Sequence, residues 1–145
     1  MRISDVLRVK GAGVVTVSPD TRVEALVAVL AEHRIGAIVV SADGTRVDGI
    51  VSERDIVRAL AQRGAAVLAE PVTAIHTTEV HTVEPEASLE DVERLMTERR
   101  FRHVPVVVDG ALHGIVSIGD VVKERIGELE TERTSLAGYI TGERF

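Results

Sequence analysis

Apolar residues in the first half of the chain occur either in short runs or at helical spacing. Residues 14–17 and 37–40 are apolar runs with the length of buried strands. Between these runs, four apolar residues have the spacing of a helix: Val23, Leu26, Val27 and Leu30. Thr21-Arg22-Val23-Glu24 is a capping-box pattern that would open this helix, and Gly36 suits its C-terminus.

The pattern then predicts a hairpin and a second helix. Asp43-Gly44 is a hairpin turn signal, and residues 47–51 form the returning strand. A helix follows over residues 53–63, and residues 65–70 form a linker. The first half of the chain therefore predicts the element order β-α-β-β-α.

The second half of the chain repeats the first. Val17-Ser18-Pro19-Asp20 is matched 66 residues later by Val83-Glu84-Pro85-Glu86. Gly49-Ile50-Val51-Ser52 recurs 65 residues later as Gly114-Ile115-Val116-Ser117, after a hairpin loop that is one residue shorter. A length change in a turn is what a duplicated fold tolerates, so we interpret the chain as an internal repeat.

The second copy predicts the same elements in the same order. Its helices cover residues 88–99 and begin again near Ile118, and Asp109-Gly110 is its hairpin turn. About 60 residues are marginal for an independent core, so we expect the copies to pack face to face with pseudo-two-fold symmetry. This α/β (α+β) fold is divided into two repeats and a C-terminal helical tail, at residues 1–65, 66–127 and 128–145.

Composition narrows the possible functions. Aromatic residues make up 2% of the chain, so the core is aliphatic and few side chains could stack on single-stranded nucleic acid. The formal net charge of −6 argues against duplex binding. The sequence has no cysteine for a thiolate metal site or a nucleophile, and no apolar run near the ~18 residues of a membrane span. We expect a cytoplasmic protein without nucleic-acid or membrane partners.

A Ser-x-x-Asp pattern follows the last strand of each copy, from Ser52 to Asp55 and from Ser117 to Asp120. The first N–H groups of a helix are unpaired and favour an anion, so a hydroxyl there can help to hold a phosphate. A carboxylate one helical turn further on accepts hydrogen bonds only and can hold ribose hydroxyls. The pattern is also close to a capping box, and a purely structural role stays open.

The longer pattern Gly-Ile-Val-Ser-x-x-Asp, at residues 49–55 and 114–120, resembles the signature of the CBS domain. Residues 102–107 resemble the middle strand of that family, and residues 3–7 and 72–75 resemble its entry segments. Nearly the whole chain is covered, and it is most similar to stand-alone proteins with two such domains. The resemblance implies a non-catalytic regulatory module that senses energy or redox state through AMP, ADP, ATP or NAD(H), without a metal or catalytic cofactor.

The resemblance also implies roles for individual residues. Asp55 and Asp120 would hold ribose, and Ser52 and Ser117 would hold phosphate. Two cations add to the phosphate site by their position: Arg54 follows Ser52, and Arg102 enters the strand expected to line the cleft. The adenine pocket would be formed by Thr16, Val17, Ala37, Ile38, His103, Val104 and Pro105. Because Ile118-Gly119 offers no cation in place of Arg54, we expect the second site to be weaker.

Other features of the second half have less specific interpretations. Arg99 and Arg100 suit a solvated helix end. Surface positions are expected for His33, His76, His81 and His113. Apolar residues form a helical stripe near the C-terminus: Val122, Ile126, Leu129, Leu136 and Ile140. The stripe either covers its own repeat or packs across a dimer interface, and the family resemblance implies a homodimer.

Two other classes of function stay open. An enzyme acting on a nucleotide is disfavoured, because the sequence has neither a Gly-x-x-x-x-Gly-Lys loop nor a Gly-x-Ser-x-Gly elbow. A structural dimer module with degenerate sites is disfavoured by the presence of both Ser and Asp in both copies. A regulatory module would also need a protein partner, unidentified in the sequence, that reads the signal.

Overall fold

A computed structural model describes residues 1–11 and 13–141, with side chains to residue 138. The helices are α1 Ile3–Lys10, α2 Val23–His33, α3 Glu53–Arg63, α4 Leu89–Arg99 and α5 Ile118–Thr141. The strands are β1 Thr16–Val17, β2 Ala37–Val40, β3 Gly49–Ser52, β4 His103–Val108 and β5 Ala111–Ser117. Two short 3-10 helices, Ala65–Ala69 and Val72–Ala74, join the halves of the chain.

Each half of the chain builds one small sheet. In the first sheet β1 is parallel to β2, and β2 is antiparallel to β3. In the second sheet β4 and β5 are antiparallel, and Val83 adds a single parallel bridge to Val106 at the place of β1. The predicted fold and element order are confirmed, with the first strand short in one copy and reduced to a bridge in the other.

The segments that open the two repeats are exchanged between the two halves. Ile3 and Val6 of α1 lie in the aliphatic core of the second half, packed with Leu89. Val72, from the segment that opens the second repeat, lies in the core of the first half with Val23. Each core is therefore completed by residues from the opposite end of the pair.

Matched backbone hydrogen bonds hold the exchanged segments. The four bonds are Ile3 N to Ala87 O (2.9 Å), Val72 N to Thr21 O (2.8 Å), Leu89 N to Met1 O (2.9 Å) and Val23 N to Glu70 O (2.9 Å). The first two are equivalent under the repeat, and so are the last two. This equivalence is the predicted pseudo-two-fold symmetry expressed in individual bonds.

The capping box predicted at Thr21 is wrong. Helix α2 begins at Val23, its N-cap residue is Arg22, and no side chain caps it. The Thr21 hydroxyl lies 3.0 Å from Ser18 Oγ instead. A side-chain cap is not needed here because Glu70 O already accepts the first N–H of the helix.

The helix end predicted at Gly36 is also wrong. Helix α2 ends at His33, and Arg34 takes the left-handed conformation with φ 54°. The N–H of Ile35 then bonds Leu30 O over 3.1 Å, which closes the helix without a glycine. Gly36 has another role, because a side chain there would meet a carboxylate oxygen of α3 at 3.0 Å.

The two hairpins differ more than the sequence predicts. Asp109-Gly110 forms the expected two-residue turn, with φ values of 51° and 79°. At Asp43, one carboxylate oxygen accepts from Thr45 N (2.9 Å) and Arg46 N (2.8 Å). These bonds organise a wider loop, so the strand predicted from residue 47 begins at Gly49.

Helix α5 continues from the second repeat into the predicted tail without a break. Residues 142–145 of that tail lie outside the described residues. In the ranges 1–11 and 13–141, none of the helices combines the length and the apolar character needed to cross a bilayer.

Candidate functional site

The first candidate site lies where β3 ends and α3 begins. The Ser52 hydroxyl accepts from Asp55 N over 3.3 Å, and Asp55 Oδ2 accepts from Ser52 N (2.8 Å) and Ser52 Oγ (3.0 Å). The capping box, an alternative role that the sequence leaves open for this motif, is therefore formed. All of these bonds use Oδ2, and no described residue donates to Oδ1 of Asp55. One carboxylate oxygen thus stays available to a ligand.

The first turn of α3 also keeps one backbone donor. Glu53 N donates to Gly36 O over 2.9 Å, and Asp55 N is used in the capping box. Among the described residues, none accepts the intervening N–H of Arg54. This N–H and the positive end of the helix dipole can both act on an anion beside Arg54.

A cavity of about 460 Å³ opens in front of this junction. It is bordered by β3 and α3 from the first repeat and by residues 77–81 and 99–103 from the second. The lining consists of Gly36, Ala37, Ile50, Ser52, Glu53, Arg54, Asp55, Arg58, Thr77, Glu79, Val80, His81, Arg99, Arg100, Phe101, Arg102 and His103. We call it the first cleft. It is large enough for a small ligand of nucleotide size.

The first cleft is basic although the chain as a whole is acidic. Five arginines line it: Arg54, Arg58, Arg99, Arg100 and Arg102. Only three carboxylates line it: Glu53, Asp55 and Glu79. Within the described part of the chain, no ion pair joins any of the five arginines to an acidic residue. In a chain of net charge −6, this concentration of cations indicates a site for an anionic ligand.

One wall of the first cleft contains two adjacent rings that are tilted relative to each other. The centroids of His81 and Phe101 are 4.9 Å apart, with a tilt of 38° between the ring planes. Ile50 and Val80 extend this wall with aliphatic surface. A planar base could therefore pack on one side of the cleft while its phosphates face the arginines.

The structure brings together only part of the predicted site. Six of the predicted residues line the first cleft: Ala37, Ser52, Arg54, Asp55, Arg102 and His103. Five residues predicted for the adenine pocket do not line it: Thr16, Val17, Ile38, Val104 and Pro105. Val17, Ile38 and Val104 lie instead in the two aliphatic cores. Ser117 and Asp120 form the equivalent junction of the second repeat.

Sequence reasoning assigned several cleft residues to the solvated surface. Arg99 and Arg100 do end a helix as predicted, but α4 ends at the rim of the cleft. His81 is exposed and still contributes a ring to the cleft wall. The useful signal was its place in the repeat, because His81 and the residues just before the first strand of the second copy line the cleft at the motif of the first copy. Arg58, one turn beyond Asp55, carried no comparable signal.

The junction of the second repeat has the same capping box and a different neighbour. Ser117 N donates to Asp120 Oδ2 over 2.9 Å, and Asp120 N donates to Ser117 Oγ over 3.2 Å. Lys10 Nζ also donates to Asp120 Oδ2, over 2.7 Å, and to Ile115 O over 2.8 Å. Burial alone would raise the pKa of Asp120, but the bonds from Lys10 and Ser117 outweigh it and hold the pKa below its ordinary value. We call this junction the second cleft.

His103 lies between the two clefts. Burial is the largest effect and lowers the pKa of its ring, and the positive charge of Lys10 lowers it further. Glu53 and Asp120 act in the opposite direction, and Arg102 again lowers the pKa. The groups acting on this one ring therefore belong to both junctions.

One histidine departs from its predicted surface position. His76 is half-buried against β3, and a side chain at Gly49 would come within 2.5 Å of its Nδ1. His33, His81 and His113 are exposed, as predicted. Among the residues that the structure describes, no group of three or more His, Asp or Glu side chains is placed to hold a metal ion.

Comparison with known proteins agrees with this architecture. The family model of the CBS domain matches residues 3–62 and 72–127. The mitochondrial CBS domain-containing protein CBSX3 of Arabidopsis thaliana is 36% identical, over 97% of this chain and 72% of its own length. A CBS-domain containing protein of Agrobacterium tumefaciens has a solved structure that is 45% identical, with a TM-score of 0.83 over 86% of this chain and 99% of that one.

A third relative has been solved with a ligand. The structure of CBSX2 in complex with AMP is 27% identical, with a TM-score of 0.71 over 87% of this chain and 96% of that one. The two motif copies, the two matched segments and the shared fold together identify the family. The chain belongs to the CBS-domain family and carries the domain twice, as a tandem pair.

Proposed function

We propose that this chain binds an adenine nucleotide in the first cleft and acts as a regulatory module that leaves the nucleotide unchanged. The observation that carries the proposal is the carboxylate of Asp55, which keeps one free oxygen inside a cavity lined by five arginines. The AMP complex of the related CBSX2 supports an adenylate as the ligand class.

The chemistry of the first cleft suggests how such a ligand would be held. Oδ1 of Asp55 would accept hydrogen bonds from ribose hydroxyls, because a carboxylate can only accept. The backbone N–H and guanidinium of Arg54, with the Ser52 hydroxyl, would hold the first phosphate. The base would pack on the wall formed by His81 and Phe101.

The number of arginines favours ligands with more than one phosphate. One phosphate can be neutralised by Arg54 and the helix terminus alone. Four other arginines would then still face only three carboxylates in the cleft. We therefore expect ADP, ATP or a dinucleotide such as NADH to bind more tightly than AMP, which would suit an energy or redox sensor.

Calorimetric titration of the chain with adenosine, AMP, ADP, ATP and NADH tests the proposal. Affinity should rise with phosphate number, and chromatography should recover each nucleotide intact. Asp55→Asn should weaken nucleotide binding by about 1–3 kcal/mol, the usual loss for a charge-assisted hydrogen bond. Asp91→Asn is the matched control, because Asp91 holds the same position in α4 and does not line the cleft.

Arg54→Ala separates phosphate recognition from base recognition. This variant should lose more affinity for ATP than for adenosine, and Arg94→Ala on the exposed face of α4 should lose neither. A chain that binds none of the five ligands would instead be a structural module. Turnover of any nucleotide would make it an enzyme, and either result would remove this proposal.

We also propose that the chain forms a homodimer through its helices. Several apolar side chains on helices of both repeats are at least 40% exposed: Val27, Val57, Ile118, Val122, Ile126, Leu129 and Leu136. Apolar surface of this extent marks an association site, and two-fold dimers are the commonest soluble oligomers. A nucleotide that binds one arrangement of two chains better than another would shift their relative position.

A further inference from the structure

The two clefts differ in what faces their carboxylates. No described residue forms an ion pair with Asp55. Asp120, at the same position of the second repeat, is paired with Lys10 at 2.7 Å, and its side chain is 23% exposed. The charge of the residue that would hold ribose in the second cleft is therefore already balanced by the chain itself, although its Oδ1, like that of Asp55, has no described donor.

Lys10 reaches Asp120 from a rigid element. It is the last residue of α1, and Ile3 and Val6 of that helix are almost fully buried in the core of the second half. One turn before Lys10, Leu7 packs so closely on Gly114 that a side chain at position 114 would lie 2.7 Å from Leu7 Cδ2. The end of α1 is thus pressed against the strand that leads into the second cleft.

The ammonium group is held by two acceptors at once. Lys10 Nζ donates to Asp120 Oδ2 and also to Ile115 O over 2.8 Å, so two of its three donors are used. A ribose hydroxyl bonding the free Oδ1 of Asp120 would meet a carboxylate whose charge this ammonium already balances. The bond that it gains there would be weaker than a bond to the unpaired carboxylate of Asp55.

The second cleft also has fewer cations than the first. By the repeat, Arg58 and Arg100 of the first cleft correspond to cations, at Lys123 and Arg34, but Arg54 corresponds to Gly119 and Arg102 to Gly36. Phosphate groups would therefore find fewer positive partners there than in the first cleft. A nucleotide therefore has less to gain in the second cleft, where the ammonium of Lys10 lies 2.7 Å from the carboxylate that would hold its ribose.

We propose that Lys10, through its ion pair with Asp120, closes the second cleft. While this ion pair is formed, the chain binds a single nucleotide, in the first cleft. This inference rests on the proposed adenylate function and assigns α1 a regulatory role. Withdrawal of the Lys10 side chain from Asp120, with α1 still packed in its core, would open a second site. A contact that captures the Lys10 ammonium would thereby change the number of nucleotides bound.

Titration of the full chain with ATP tests this closure. The unaltered chain should bind one ATP, and Lys10→Met, which keeps most of the aliphatic stem, should bind two. Adding Asp120→Asn to Lys10→Met should return the number to one. Arg8→Met is the matched control, because it removes a cation from the exposed face of the same helix and should leave one ATP per chain. Lys10→Gln replaces Lys10→Met if the latter does not fold.

Each outcome separates this inference from the proposed function. One ATP in both the unaltered chain and Lys10→Met would overturn the closure and leave the first cleft intact. Two ATP in the unaltered chain, with one lost in Lys10→Met, would make Lys10 a phosphate ligand and overturn the closure as well. No binding before the substitution and one ATP after it would support the closure and refute the first cleft. No binding in either chain would refute both.

Discussion

His103 lies where the two clefts meet. Burial and two neighbouring cations lower the pKa of its ring, and the carboxylates of Glu53 and Asp120 only partly oppose them. The folded chain therefore holds the ring neutral in a pH range where an unfolded histidine, with a pKa of about 6.5, becomes protonated. This difference links the stability of the fold to pH.

We expect the free energy of unfolding to decrease as the pH falls below about 6.5. In that range His103 is protonated in the unfolded chain but stays neutral in the folded chain. Because the unfolded state binds more protons, acid favours unfolding. The loss should level off once the pH is below the lowered pKa of the folded state. Urea unfolding at a series of pH values measures it, and His103→Gln should flatten the dependence.

His113→Gln shows whether removal of any histidine has the same effect. His113 lies exposed on β5 and does not line the first cleft. A pH dependence that His103→Gln leaves unchanged would mean that the ring is not the group responsible. These measurements should be made without nucleotide, because a ligand in the first cleft would contact the His103 ring.

At the scale of elements, helix α5 carries a stripe of exposed apolar side chains. Val122, Ile126, Leu129 and Leu136 are 48%, 51%, 55% and 58% exposed along one stripe. The side chain of Ile140, which the sequence places in the same stripe, lies outside the described residues. The spacing of four and three residues is that of a helix that packs against another helix.

Leu129→Glu should convert a dimer into a monomer, because it places a charge in the middle of this stripe. Light scattering at micromolar concentration, with and without ATP, measures the mass. Thr131→Glu adds the same charge about 200° around the helix and should leave the dimer intact. An unaltered chain that is monomeric in both conditions would contradict the proposed dimer.

The elements themselves were largely predictable from the sequence. Helix α3 has the predicted bounds, β2 covers the predicted apolar run, and Asp109-Gly110 forms the predicted turn. These features depend on local spacing and turn chemistry, which a sequence displays directly. The cap at Thr21 failed because a backbone carbonyl from a distant segment, at Glu70, took its place.

The candidate site was predictable only where the repeat supplied a local motif. Ser52, Arg54 and Asp55 lie together in sequence and together in the first cleft. The contact of Lys10 with Asp120 spans 110 residues, and nothing in the local pattern of either residue indicates it. The ring of His81 was missed for the same reason, because its partner comes from beyond α4.

For the whole molecule, the exchanged entry segments make the two repeats one cooperative unit. Ile3 is fully buried, and its side chain completes the core of the second half. Ile3→Ala should lower the free energy of unfolding by about 2–5 kcal/mol, as for other buried large-to-small changes. Urea unfolding should still show a single transition, since neither core is complete without the other half.

Val9→Ala provides the control for this prediction. Val9 lies on the same helix and is 66% exposed, so its truncation should change stability little. Two separate transitions in the Ile3→Ala chain would mean that the repeats unfold independently. In that case the exchange of segments would contribute less to stability than the burial of Ile3 indicates.

The exchange of entry segments between the two halves also determines when each core can fold during translation. Helix α1 is the first described helix to leave the ribosome, yet its partner Asp120 follows 110 residues later. At about 5–20 residues per second, the apolar face of α1 waits on the order of 10 s for its core. The first repeat, meanwhile, lacks Val72 until the linker has emerged. The first repeat therefore cannot finish folding during its own synthesis, and the nascent chain depends on α1 staying soluble until the second repeat has emerged.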